Sequence, residues 1–357
     1  MQSRPISIVI PSWNGREILA RNLPSVEAAL AMYPGGGEAI VVDDGSRDGS
    51  AAWLASVHPS IRVLANKSNE GFGKSVNSGV ASARFGHVML LNNDIRVEPD
   101  FLAPLMTPFD SAEDLFATTP CIINNTWGGD EAVTACMFRF GLIETVFPER
   151  SRESTITTPM AATGCSEKKP SPVDEPHART LGVRVPPADG IVAGPAPREV
   201  LFACGGAAVF DRRRWMELGG LDPLYSPFYW EDVDLSWRAR KRGLRIVHAP
   251  SSRVHHEHGA TIGARFDRGS VRAIYERNRI LFHWKNITSA RLTAVHLAWL
   301  PLRAARAVAG RPDFLKGLAM AIGRLGPVLR ARRTERDLAQ RSDDEILCAF
   351  RAASGSR

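Results

Sequence analysis

The chain has 357 residues, 44% of them hydrophobic and 23% charged, with a formal net charge of +7. These are values of a globular protein, and the length leaves room for two lobes or one domain with additions. Five scattered cysteines without a C-x-x-C pair exclude a disulfide framework and a zinc knuckle and fit a reducing cytosol. The N-terminus leads directly into a strand without an apolar stretch of signal-peptide length.

Ile6-Ser7-Ile8-Val9-Ile10-Pro11 reads as a first strand with a proline at its end, where the ladder can spare a donor. Ser12-Trp13-Asn14-Gly15 makes a turn, and apolar residues at helical spacing (Ile18, Leu19, Leu23, Val26, Leu30) predict a helix over about 16–32. A second strand, Ala39–Val42, runs into Asp43-Asp44-Gly45-Ser46-Arg47-Asp48-Gly49-Ser50. Ser46 or Asp48 can cap the helix that follows through Val57. Ile61–Ala65 is a third strand, and Asn69-Glu70-Gly71-Phe72-Gly73 opens a helix through Ala83 that carries Asn77.

The fourth strand, Val88-Met89-Leu90-Leu91, carries straight into Asn92-Asn93-Asp94. Ligands of a parallel α/β sheet bind in the crevice beyond the carboxyl ends of the strands. Asp43, Asp44 and Asp94 all stand at such ends. There a carboxylate can hold a metal on a phosphate or accept from a nucleobase or ribose; plain polar turns are the structural alternative. A helix with Phe101, Leu102, Leu105 and Met106 on its buried face follows Pro99-Asp100, and another strand spans about 115–123. This alternation predicts a doubly wound, mostly parallel sheet.

Residues 151–198 are rich in Pro, Ser, Thr, Gly and charge and read as a long surface loop or flap. Order returns at Val200–Phe210 with the pair Gly205-Gly206, then a short helix over 212–218. The aromatic run Tyr225, Phe228, Tyr229, Trp230 fits either sugar stacking or core packing. Glu231-Asp232-Val233-Asp234 opens a helix through Arg242. Three acids in one first turn exceed what the helix dipole asks for and point to a site. A further strand spans 244–248. His255, His256 and His258 form a cluster without the H-E-x-x-H spacing of a helical zinc site. Helices are predicted over 270–284, over 292–308 with a break at Pro301, over 314–329 and near 343–350.

The charge excess sits at the end of the chain: residues 290–341 hold eleven Lys/Arg against three Asp/Glu, leaving 34 basic and 35 acidic residues elsewhere. No segment reaches the roughly 20 uncharged apolar residues of a spanning helix. Basic amphipathic helices lying on an anionic membrane are the reading taken, with no nucleic-acid partner; a helical layer packed on the α/β domain is the alternative.

From Ile6 to about Asn286 the chain resembles the family 2 inverting glycosyltransferases of GT-A fold, closest to the bacterial rhamnosyltransferase-like and galactofuranosyltransferase-like branch. The resemblance rests on seven pieces in order: Ile8–Asn14, Val42–Ser50, Asn69–Gly73 with Asn77, Leu91–Asp94, Gly205-Gly206-Ala207, Glu231–Asp234 and His255. It implies an α/β, doubly wound nucleotide-sugar half over 1–125, a smaller acceptor-side half over 126–286 and a C-terminal helical part over 287–357. By the same resemblance Pro11, Asn14, Asp43, Asp44, Gly71, Asn77, Asn92 and Asn93 bind the nucleotide-diphosphate sugar. Asp94 and His255 bind Mg²⁺ or Mn²⁺, Asp232 is the catalytic base with Glu231 beside it, and Gly205, Gly206 and Trp230 face the acceptor. Asn92 and Asn93 depart from the family's D-x-D element, since many relatives carry an aspartate where an amide is a weaker, neutral ligand. The implied activity moves rhamnose, galactofuranose or another hexose from a UDP- or dTDP-sugar to a lipid-linked or polysaccharide acceptor, in the cytoplasm at the inner membrane face. A nucleotide-sugar-binding scaffold without turnover is the competing expectation, and a hydrolase built on the histidine cluster is disfavoured by its spacing.

Overall fold

The computed structural model describes residues 3–124, 129–146, 196–257, 266–308, 310 and 312–351. Residues 151–195 of the expected loop, and His258, lie outside the described residues.

The first strands and helices form as their periodicity predicts. β1 (Ile6–Ser12), β2 (Gly37–Asp43), β3 (Arg62–Ala65) and β4 (His87–Leu91) pair in parallel in the order β3-β2-β1-β4. α1 (Arg16–Met32), α2 (Ser50–Val57) and α3 (Phe72–Ser82) connect them. Alternation along each strand divides the core. Ile6, Ile8 and Ile10, with Met89 and Leu91, face α1, whereas Val9, Val88 and Leu90 pack with Val76 and Val80 of α3. Asp48 ties two helix starts, accepting from the backbone N–H of Arg16 (2.9 Å) and of Ser50 (3.0 Å).

The sheet continues through both predicted halves. β6 (Leu115–Asn124) and β11 (Arg245–His256) are parallel to each other, and β10 (Ala207–Asp211) runs antiparallel between β4 and β6. A short β5 (Ile95–Val97), not predicted, pairs antiparallel with β11, as does β9 (Arg198–Glu199). β11 runs well past the predicted His248, because it resumes pairing with β6 at Arg253 after an irregularity and brings His255 and His256 into the sheet. The helix after Pro99-Asp100 is α4 (Leu102–Met106). β7 (Ala135–Arg139) and β8 (Leu142–Val146) form a separate hairpin. α5 (Arg212–Glu217) and α6 (Glu231–Lys241) lie against the α3 face, with Trp215, Leu235 and Ala239 in its core.

α7 (Arg268–Asn286), α8 (Ala290–Val308), α9 (Pro312–Ile322), α10 (Leu325–Asp337) and α11 (Asp343–Ala349) form a packed layer. Leu292, Phe314, Val328 and Ile346 share a core with Trp230, Trp237 and Phe282. The buried ion pair Lys241–Asp343 (3.0 Å) fastens α11 to α6. Two tail expectations are corrected. α8 runs unbroken through Pro301, which together with Leu297 lies on the exposed face, where water can replace the missing N–H. The predicted 314–329 helix is two helices, because Pro327 cannot continue the ladder of α9 but fits the first turn of α10.

Candidate active site

The carboxyl ends of β1, β2 and β4 meet at one edge. Pro11 is buried opposite Val42, and Ser12 stands opposite Asp43. Asn14, at φ +49°, takes Arg47 N–H on its Oδ1 (2.8 Å) and donates its own N–H to Ser46 Oγ (2.8 Å), so the two strand-end turns hold each other. Asp43 Oδ1 accepts from Ser46 N–H (3.0 Å). Asp44 is buried; its carboxylate accepts from the N–H groups of Glu70 (2.8 Å) and Gly71 (2.9 Å) and from the Asn66 amide (2.9 Å). Asp44 therefore braces the 66–71 loop at this edge. Gly71 needs its φ of +92° to make that approach. Asn77, expected beside the nucleoside, has both ends of its amide on the backbone of Leu221, at 2.8 and 3.0 Å. It points across α3 to the 220–221 turn because those N–H and C=O groups need partners inside the fold.

At the end of β4 the three polar residues separate. Asn93 donates to Ser12 Oγ (3.0 Å), and its carbonyl accepts from Asn22 (2.8 Å), so it locks β4 to β1 and α1. A side chain at Gly15 would strike this amide at 2.5 Å. Asn92 donates its backbone N–H to Gly206 O (2.8 Å), while its side-chain Oδ1 is buried without a hydrogen-bond donor. Asp94 Oδ1 lies 3.4 Å from His256 Nε2 and is likewise buried without an aligned donor.

The histidine beside Asp94 is thus His256 and not the expected His255. Neighbouring residues on a strand point to opposite faces; His255 turns away and meets Glu98 at 3.2 Å. His256 Nδ1 meets Glu131 Oε2 at 2.9 Å, and Asn124 donates to the same carboxylate (2.5 Å). Burial alone would lower the His256 pKa; Asp94 and Glu131 more than reverse this and push it up to about 9. Glu131 was not among the sequence candidates, and strand alternation at His255-His256 says only that one of the two faces Asp94, the register of β11 deciding which. Among the described residues, no group of three or more His, Cys, Asp or Glu has the arrangement of a metal centre.

Facing this edge is the N-terminus of α6. Asp232 Oδ2 accepts from Gly205 N–H (2.9 Å) and Oδ1 from Val233 N–H (2.8 Å). A Cβ at Gly205 would sit 3.1 Å from the same carboxylate, which explains the glycine. Gly206 accepts the Asn92 N–H, so the Gly205-Gly206 pair is clasped on one side by Asp232 and on the other by the Asn92–Asp94 strand end. Burial raises the pKa of Asp232, and the two N–H groups oppose the rise. Burial, then the Asp232 charge, push Glu231 up to about 8, and its Oε2 is buried without a partner. Of the two neighbouring acids, Glu231 is held toward its protonated form, by burial first and then by the charge of Asp232.

Two further expectations change here. Trp230 is core: its ring is 3% exposed and lies 5.2 Å from Phe282 and 5.7 Å from Tyr275. Tyr229 and Trp230 hold φ of +73° and +75°, a left-handed pair that aims the start of α6. Asn278 of α7 secures this turn, donating to the carbonyls of Tyr225 (2.7 Å), Phe228 (2.8 Å) and Tyr229 (2.8 Å). Asp234, counted among the three site acids, is fully buried in a structural network. It accepts from Tyr225 (2.8 Å), Arg238 (2.7 Å), Lys285 (3.0 Å) and Asn286 (2.7 Å). Two surface cavities, of about 700 and 550 Å³, lie at the opposite end of the sheet, around Arg245 and Arg4.

Residues 7–165 match the family described as "Glycosyl transferase family 2". The chain is similar to the succinoglycan biosynthesis protein ExoO of Rhizobium meliloti (strain 1021), 32% identical over 108 residues, covering 30% of each chain. It is also similar to the undecaprenyl-phosphate 4-deoxy-4-formamido-L-arabinose transferase of Pseudomonas fluorescens (strain Pf0-1), 32% identical over 118 residues, 32% of this chain and 34% of that one. The chain thus spans about a third of the length of these curated relatives. In fold it is similar to GalNAc-T7, solved with UDP, GalNAc and Mn²⁺, at a TM-score of 0.55 and 17% identity, covering 83% of this chain and 54% of that one. The doubly wound sheet, its strand-end edge and the structural likeness agree on a fold of GT-A type, within which residues 7–165 match glycosyl transferase family 2.

Proposed function

We propose that the protein transfers a sugar from a nucleotide-diphosphate donor to a hydroxyl of a lipid-linked or polysaccharide acceptor in envelope glycan synthesis, with inversion at the anomeric carbon. The observation that carries this reading is the clasp at Gly205-Gly206. It sets the Asp232 carboxyl group across from the strand end at Asn92–Asp94. A phosphate-bearing donor belongs at the carboxyl ends of β1, β2 and β4, and a general base belongs on the far side of its anomeric carbon.

Asp232 removes the acceptor proton as the hydroxyl oxygen bonds to that carbon and the bond to the diphosphate breaks on the opposite face. No protein nucleophile is needed. Protonated Glu231 donates a hydrogen bond to the sugar or acceptor from the unpartnered side of its carboxyl. Asp94 and Asn92 fit a divalent cation, since both present buried oxygens without an aligned hydrogen-bond donor, with His256 at 3.4 Å as the ion-pair partner of Asp94. Bound there with the donor phosphates, Mg²⁺ or Mn²⁺ would neutralise the leaving diphosphate. The relatives named as undecaprenyl-phosphate transferases favour a lipid-linked acceptor.

Asp232→Asn keeps the shape and removes the base. Transfer from UDP- or dTDP-sugars is expected to fall at least ~10²-fold with donor affinity unchanged. Near-normal turnover in that variant would sink the assignment.

A further inference from the structure

α8 buries Leu292, His296 and Ala307 against the helical layer. Its opposite side is apolar. Ala294, Leu297, Ala298, Pro301, Leu302, Ala305 and Val308 recur at helical spacing and are all exposed, with Leu297, Leu302 and Val308 at 56%, 55% and 76%. From Ala294 to Val308 this stripe runs about 21 Å at 1.5 Å per residue. The helix contains no acidic residue. Arg303 is turned sideways, donating to the carbonyl of Phe140 (2.8 Å) at the tip of the β7–β8 hairpin. Phe140 is itself exposed. It stacks edge-on against Trp299 of α8 at 5.1 Å and carries the Arg139 guanidinium over its ring at 4.7 Å. The hairpin and the helix thus form one apolar face with cationic groups at its margins, Arg139 and Arg306, while Arg291 is paired with Asp344.

Soluble monomers rarely expose a continuous apolar stripe of this size without using it. A second copy of the chain is a poor occupant. Two α8 helices packed about a two-fold axis would oppose arginines to arginines, with no acid on the helix to match them. A surface with apolar depth and negative headgroups complements both features.

We propose that the exposed face of α8, with Phe140 at the hairpin tip, docks onto the headgroup–acyl boundary of an anionic lipid bilayer. Among the described residues no helix is long and apolar enough to cross a membrane, so the contact is interfacial. Leu297, Leu302 and Val308 enter the acyl boundary, Phe140 and Trp299 lie at headgroup level, and the flanking arginines meet the phosphates. Only the benefit of such docking, access to a lipid-linked acceptor, rests on the proposed transfer reaction.

The test is co-sedimentation of the full chain with vesicles of phosphatidylcholine plus phosphatidylglycerol, against phosphatidylcholine alone, without donor or metal. The wild type is expected to prefer the anionic vesicles, and Ala298→Glu with Leu302→Glu to lower the partition at least ~10-fold with an unchanged melting temperature. Leu302→Trp is expected to raise it, and this variant decides the matter should the double variant misfold. Asp232→Asn should bind vesicles as the wild type does, which separates docking from catalysis. Wild-type protein that ignores the vesicles, or substitutions that leave the partition unchanged, would overturn the proposal. So would a concentration-dependent dimer that the double variant abolishes, since the face would then belong to a second copy.

Discussion

Replacing Asp234 by Asn tests how the start of α6 is held. The carboxylate is fully buried and accepts from four side chains, two of them cations. The Asn substitution leaves Arg238 and Lys285 buried without their shared counter-charge, and breaking such a pair costs about 3–5 kcal/mol. The low end applies here. Arg238 keeps the carbonyls of Leu218 and Gly220, and Lys285 keeps Asp222 at 2.6 Å. A loss of about 3 kcal/mol corresponds to roughly 4 °C in melting temperature for a protein of this size. Thermal and urea unfolding at pH 7 measure it. The pH dependence supplies a second check. Burial would raise the Asp234 pKa, but Arg238 and Lys285 hold it far below the usual carboxylate range. A depressed folded pKa gives stability that is present above the unfolded value, about 3.9, and lost as pH falls below it. The gap between wild type and variant should therefore be full at pH 7 and close below about pH 4. A gap under about 1 kcal/mol at pH 7, or one that persists undiminished in acid, would refute this account of the network.

Glu231 has the opposite sign. Its folded pKa is raised to about 8, so its contribution is intact below the unfolded value near 4.3 and drains away as pH rises toward 8. Glu231→Gln should match the wild type in melting temperature at pH 5 and exceed it at pH 9; a pH-independent difference would contradict the burial argument. Asn278→Ala removes three hydrogen bonds from the left-handed turn before α6, and kcat should drop ~10-fold or more while donor KM holds; equal losses in both would mean a general collapse. EDTA should abolish transfer and Mn²⁺ or Mg²⁺ restore it, and Asp94→Asn should raise the metal concentration needed. Activity indifferent to EDTA would remove the cation from the mechanism.

Much of this was readable in the chain because strand and helix periods are local. The alternation Ile6, Ile8, Ile10 against Val9 separates the two faces of the sheet, and Asp94 and Asp232 stand at element ends. What escaped was set by distance in sequence. Asn77 reads as a helix-start residue beside a glycine loop, yet its partner is Leu221, 144 positions away. Asp234 sits two residues from Asp232 and reads as an equal, but the rotation of α6 turns it toward Lys285 and Asn286. His255 and His256 differ only in strand register, which no residue type announces when β11 is read as ending at His248. The division at residue 125 follows the change in sequence texture, whereas β10 and β11 from the later part pair with strands of the earlier part.

The antiparallel position of β10 bears on how the chain folds. β4 is synthesised by residue 91, yet its second neighbour arrives only with residues 207–211. Until then the hydrogen-bonding side of a five-residue run of buried apolar and histidine side chains stays open. An open apolar edge in the middle of a sheet invites pairing with another nascent chain. Pairing over more than a hundred intervening residues is also slow to form. A fragment ending at residue 125 should therefore aggregate, although it holds the carboxyl ends of β1, β2 and β4, and soluble refolding should appear only once the chain extends past Asp211.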